Sequence, residues 1–162
     1  MVVNRDRVVI ADTNIISYAL KRQPLAESYS RLLIGREVRV SFTTIAELHR
    51  WAEKDAWGAR RRLELKVFLS RFPMIPCTAG IPELFAKVIV ERERAGRPML
   101  RDDAWIAATA LHHQLPLVTH DANFLGTKGL RVISANAEVV ALQTLSGGYR
   151  PLDMDMQCRC GY

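Results

Sequence analysis

Residues 100–111, Leu-Arg-Asp-Asp-Ala-Trp-Ile-Ala-Ala-Thr-Ala-Leu, restrict the fold more than any other stretch. From Ala104 to Leu111 the only polar side chain besides the Trp105 indole N–H is that of Thr109. A helix apolar on every face must be buried on every face. Ala107, Ala108 and Ala110 are small enough for neighbouring elements to press close against it. The two acids that open the helix therefore stand where core meets solvent. Either can act as a cap, accepting bonds from the first free amides in the field of the helix dipole. One cap accounts for one aspartate and leaves the other to be explained.

The rest of the chain alternates strands with helices. Val8-Val9-Ile10-Ala11 reads as a buried strand, followed by a turn at Asp12-Thr13-Asn14 and a helix through Leu20. A helix over Leu25 to Ile34 closes at Gly35. A second strand spans Val38 to Phe42, and a helix opens at Thr43 and runs through Trp51. Residues 51–58 form a junction before a basic-faced helix from Ala59 to Phe72, with Leu63, Val67, Phe68 and Phe72 facing inward. Pro73 to Cys77 suits an edge strand, given its prolines. A helix starting near Pro82 ends at Gly96. After the buried helix, Pro116 is a stop, Leu117 to Thr119 a strand and Leu130 to Ile133 the last strand. Such alternation predicts an α/β layer fold, a mostly parallel sheet with helices on both faces.

This topology gathers the acids. Asp12 and Asp121 each lie just past a strand end, Glu47 lies early in the helix after strand two, and Asp103 opens the buried helix. Open parallel sheets build their sites outside the carboxyl ends of the strands. Singly, each acid has a plainer role. Asp12 and Asp121 can be turn residues or caps, and Thr44 with Glu47 matches a capping box. Together on one edge, four carboxylates repel, and a divalent cation relieves them. All-oxygen ligands point to Mg²⁺ or Mn²⁺ over zinc. His49, His112, His113 and His120 are not spaced as a zinc triad, and His112-His113 is expected to face a packing neighbour.

The net charge of +6 and a pI near 9.6 favour a polyanionic partner. Arg60, Arg61, Arg62 and Lys66 form one basic cluster, and Arg92, Arg94, Arg97 and Arg101 another, though acids at helical spacing can pair with part of both. An acidic cation site in a basic protein suits metal-assisted phosphodiester hydrolysis. Glycine-rich dinucleotide and P-loop signatures and the Gly-x-Ser-x-Gly elbow are absent. A small-molecule phosphotransferase would want an acid where Asn14 stands. No apolar run is long enough to span a bilayer, and the N-terminus lacks the long apolar segment of a signal peptide, so a cytoplasmic protein is expected. Cys77, Cys158 and Cys160 fit neither a disulfide framework nor a complete zinc site.

Four ordered segments carry a family resemblance: Asp12-Thr13-Asn14; Ser41 to Leu48 with Glu47; Asp103 to Leu111; and Leu117 to Phe124 with Asp121. With Gly96-Arg97-Pro98 they make residues 8–135 resemble a PIN-domain ribonuclease, in particular the VapC toxins of type II toxin–antitoxin pairs. The resemblance implies a PIN-like three-layer fold in a single nuclease domain over residues 1–145, with 146–162 as a flexible tail. It implies an Mg²⁺-dependent endoribonuclease cutting structured RNA such as tRNA or rRNA, a homodimer, and a small antitoxin that blocks the site. Asp12 and Asp103 would be the main metal ligands, Glu47 and Asp121 would complete the catalytic set, and Thr13 and Asn14 would shape the pocket floor. Asp102 stands where the family often has Asn and is expected to be the helix cap. Asp121 falls where relatives vary between Asn and Asp. The alternative is an inactive or solitary RNA-binding or RNA-processing PIN protein without an antitoxin.

Overall fold

The computed structural model describes residues 7–145; the expected tail at 146–162, with Cys158 and Cys160, lies outside the described residues. Five parallel strands form one sheet. They are β1 (Val8–Ala11), β2 (Glu37–Ser41), β3 (Met74–Ile75), β4 (Leu117–Val118) and β5 (Val132–Ile133), in the order β3-β2-β1-β4-β5. β1 is central, pairing Val8 with Glu37 on one side and Ile10 with Leu117 on the other. The order reverses direction between β1 and β4, and this switch point is where an open α/β sheet leaves a crevice at its strand ends.

The helices are α1 (Thr13–Leu20), α2 (Leu25–Leu32), α3 (Phe42–Lys54), α4 (Ala59–Leu69), α5 (Gly80–Arg94), α6 (Arg101–His113) and α7 (Ala137–Leu145). Side-chain alternation along β1 divides the core. Val9 and Ala11 face a cluster with Ile15, Ile16, Tyr29, Leu48, Leu65 and Leu69 from α1 to α4. Ile10 faces the opposite cluster with Val88, Ala104, Ile106, Ala107, Ala110 and Val139 from α5 to α7. Burial on both faces explains why β1 is apolar at successive positions instead of alternating.

The expected all-round burial of α6 is observed: Ala104, Ile106, Ala107, Ala108, Thr109 and Ala110 are wholly buried. Thr109 satisfies its hydroxyl on the Trp105 carbonyl at 2.8 Å. Trp105 stacks on Phe85 of α5, with ring centroids 4.0 Å apart. Gln114 ends the helix in a left-handed conformation, two residues before Pro116.

Several expectations change. Phe42 belongs to α3, because the Ser41 hydroxyl caps that helix by accepting from the Thr44 N–H at 3.1 Å. The capping box from Thr44 to Glu47 therefore does not form, and Glu47 stands in the second turn. On α4 the inward pair is Leu65 and Leu69, while Leu63 and Val67 are 62% and 56% exposed. Arg62 sets this rotation. Its guanidinium donates to the Trp57 and Ala52 carbonyls and pairs with Glu53, and Leu65 and Leu69 share its face at i+3 and i+7. Residues 137–145, for which no element was expected, form α7, with Val139 buried.

Candidate active site at the strand ends

Each acid reaches the crevice by a different local route. Asp12 follows β1, and its backbone N–H donates to Val118 O at 2.9 Å, continuing the ladder one residue past the strand. Its side chain is the N-cap of α1 and accepts from Thr13 N–H at 2.6 Å. The second oxygen, Oδ2, accepts from the Thr119 hydroxyl at 2.8 Å and lies 3.5 Å from Asn14 Nδ2. Thr119 Oγ1 in turn accepts from Asp121 N–H at 3.0 Å. One buried threonine thus links the ends of β1 and β4. Nothing in the spacing singles it out beyond its place two residues before Asp121.

Asp121 caps a single 3₁₀ turn, Ala122–Phe124, accepting from Asn123 N–H at 2.8 Å through Oδ1. Asp121 is therefore a cap, and among the described residues its Oδ2 accepts no hydrogen bond. Glu47 projects from α3 to α1, where its Oε2 accepts from the Thr13 hydroxyl. Thr13 Oγ1 also lies 3.3 Å from Thr44 Oγ1, itself 3.2 Å from Ser41 Oγ. This hydroxyl chain, and not a capping box, orients Glu47.

Asp103 sits in the first turn of α6, half-buried. Its carboxylate accepts no hydrogen bond from the described residues. Asp102 precedes it but is not the expected cap. The cap position is Leu100, which has no capping side chain; Asp102 lies inside the helix and is exposed. The macrodipole favours its charge there, and that charge acts on both Asp103 and Glu47.

The electrostatics show the acids to be one cluster. Asp12 is only 2% exposed. Burial pushes its pKa up to about 6, the Thr119 and Thr13 bonds oppose this, and the charges of Glu47 and Asp121 add to the rise. Burial is also the main cause for Asp103, which rises to about 7 with repulsion from Asp12, Asp121, Glu47 and Asp102. Burial raises Glu47 as well, partly offset by its bond from Thr13. The four predicted acids are therefore brought together, with Asp102 as a fifth charge at the rim.

A divalent cation fits this donor set on chemical grounds. The ligands are all hard oxygens, one carboxylate lacks a hydrogen-bond donor among the described residues, and the group repels itself in its ionised form. Among the described residues the side chains do not already close as a three-ligand cage, so binding would need them to draw together. His112 and His113 are not part of the cluster. They contact each other edge to face, and His112 packs over Gly80, where a Cβ would come within 2.5 Å of its ring.

A parallel sheet carrying acids at its switch point, between two helical layers, is a nuclease-like architecture, and comparison with known proteins agrees. The PIN domain family model matches residues 9–130. Ribonuclease VapC1 of Haemophilus influenzae (strain R2866) is 31% identical over 120 residues, covering 70% of this chain and 87% of that protein. The tRNA(fMet)-specific endonuclease VapC of Shigella flexneri is 29% identical over 121 residues, covering 74% and 92%. Among solved structures, VapBC-1 from nontypeable Haemophilus influenzae superposes with a TM-score of 0.66 at 27% identity, covering 78% of this chain and 97% of the other. The chain belongs to the PIN-domain family, in its VapC group.

Proposed function

We propose that this protein is a divalent-metal-dependent endoribonuclease, the toxin of a toxin–antitoxin pair, acting on RNA of the tRNA or rRNA class. The observation that carries the reading is the cluster of four mutually repelling acids at the switch point. A binding module gains nothing from anions facing phosphate, whereas a hydrolase that recruits Mg²⁺ or Mn²⁺ needs them. Relatives named as ribonucleases and as a tRNA-specific endonuclease support the substrate class. Structures of VapBC complexes among the fold neighbours support an antitoxin partner.

On this reading Asp12 and Asp103 hold the metal, and Glu47 and Asp121 complete the site. When bound, the metal supplies charge neutralisation and activation of water for attack at phosphorus. The chain supplies orientation. Thr119 and the Thr13 N–H fix both oxygens of Asp12. The Thr13 hydroxyl holds Oε2 of Glu47, leaving Oε1 to hold a water or take its proton. The Asn123 N–H fixes Oδ1 of Asp121. Dense packing of α6 holds Asp103 near the other three, with no hydrogen bond to it among the described residues.

The test uses the purified chain, labelled tRNA and rRNA fragments, and Mg²⁺. Cleavage is expected to stop with EDTA, return with Mg²⁺ or Mn²⁺, and fall by about a thousandfold or more in Asp12→Ala, the scale of losing a principal transition-state electrostatic contact. Cleavage that persists both in EDTA and in Asp12→Ala would refute the proposal.

A further inference from the structure

Behind the 3₁₀ turn that carries Asp121 lies a second cavity of about 560 Å³, lined by Arg92, Arg97, Pro98, Asn123, Leu125 and Leu142 among others. Arg92 is its unusual member. It lies on α5 and is only 5% exposed. A guanidinium has five N–H donors, yet among the described residues the Arg92 side chain makes a single hydrogen bond, from Nη1 to Leu125 O at 2.8 Å. Its Nε is buried without a partner. Among the described residues no carboxylate forms an ion pair with it. Burying a charged group with a donor left unpaired is costly, and packing alone would be better served by an aliphatic side chain.

The surroundings keep this charge accessible to a ligand. Gly126, at φ +79°, leaves room beside it, since a Cβ there would meet Arg92 Nη1 at 3.4 Å and Arg97 Nη1 at 4.0 Å. The two guanidinium groups therefore approach the same spot from α5 and from the segment before α6. Both walls run directly into the acid cluster: Arg97-Pro98 leads to Asp103, and Ala122-Asn123 follows Asp121. Leu125, Leu142 and Pro98 supply an apolar side, and the exposed Asn123 stands at the rim.

We infer that this cavity is a nucleotide subsite for the RNA strand. Arg92 and Arg97 take a backbone phosphate flanking the cleaved bond, and the apolar wall takes the attached sugar or base. The inference rests on the ribonuclease reading and adds to it a fixed point that sets which phosphodiester reaches the acids. The volume exceeds that of a lone phosphate, and two converging guanidiniums match phosphate geometry. Asn123 can address a base edge with both a donor and an acceptor.

The test measures binding of a short fluorescent single-stranded oligoribonucleotide by anisotropy over a range of salt, with every protein carrying Asp103→Asn to block cleavage. Arg92→Met and Arg97→Glu are each expected to raise Kd about tenfold and to make the slope of log K against log salt shallower by about one contact. Arg31→Glu, a surface reversal on α2 equal in charge change to Arg97→Glu, is expected to shift Kd less than about threefold. If Arg92→Met fails to fold, Arg97→Glu and Asn123→Asp carry the same prediction. RNA affinity and salt slope unchanged in the cavity variants, or altered no more than in Arg31→Glu, overturns the inference. A drop in thermal stability of Arg92→Met with unchanged RNA affinity makes that residue purely structural and overturns it too, as does loss of a co-expressed protein partner with RNA binding intact. In each of those cases the wild-type chain still cleaves RNA. Failure of the Asp103→Asn parent to bind RNA, with no cleavage by the wild-type chain, would instead remove the ribonuclease reading itself.

Discussion

Asp12 and Asp103 belong to one cluster but are held in opposite ways. Asp12 is fastened by hydrogen bonds to both oxygens, from Thr13 N–H and Thr119 Oγ1. These bonds lower a pKa that burial would otherwise raise further. Asp103 receives no such help from the described residues, and four acids push against it. Its position comes from the packing of α6 alone. The strand-end acid is pre-oriented, whereas the helix acid is under electrostatic tension that a bound cation would release. On the proposed reading, such a site would keep one ligand fixed and store its affinity for metal in the other.

The sharpest break of this contrast is Asp103→Asn, which should separate activity from stability. Cleavage of labelled RNA should fall by roughly a thousandfold or more. Stability of the metal-free protein at pH 8 should rise by about 2 kcal/mol, the scale set by a carboxylate carried well above its ordinary pKa. The sign follows from linkage. Asp103 has a folded pKa of about 7, above the unfolded value near 4. Below about pH 4 both states are protonated and no penalty exists. Between about 4 and 7 the unfolded chain ionises first, so stability falls as pH rises. Urea denaturation across this range should show that decline in the wild type and a shallower one in the Asn variant, where Asp12 and Glu47 still contribute.

Packing is the other half of the contrast. Ala107 is fully buried on α6, so Ala107→Leu should cost about 1–3 kcal/mol by overpacking. Because no described residue holds Asp103 by a hydrogen bond, cleavage should also drop in the folded fraction. Calorimetry together with kcat measured on folded protein separates the two effects.

The smallest effect belongs to Thr119→Val, nearly isosteric and wholly buried. It removes the donor to Asp12 and should cost about 1 kcal/mol. It should also raise the Asp12 pKa further, moving the acidic limb of the pH–rate profile to higher pH. An unmoved limb would mean that Thr119 does not tune Asp12.

The acids were legible in the sequence because short apolar strands ended abruptly in Asp12 and, after one intervening His, in Asp121, and because α6 had no polar face to offer solvent. Parallel strands then placed these residues on one edge without further information. The support of the site was not legible. Thr13, Thr44 and Ser41 link across separate elements, and nothing in their spacing shows which hydroxyl meets Glu47. On α4, two apolar pairs at i, i+4 competed for the core, and a tertiary anchor through Arg62 chose between them. Asp102 looked like a cap because its residue type suits one, but the helix begins before it. Arg92 read as one of several basic residues on a solvated helix, since burial of a single arginine leaves no trace in periodicity.

The central claim is that Asp12, Glu47, Asp103 and Asp121 act as one cation-holding unit. Carboxyl-carbon NMR titration of the aspartates, with and without Mg²⁺, tests it most directly. Without metal, Asp12 and Asp103 should titrate near 6 and 7, and Asp12→Asn should lower the Asp103 value. With saturating Mg²⁺ both should move below the ordinary carboxylate value of about 4. Two independent titrations near 4 that ignore both Mg²⁺ and the substitution would contradict the account.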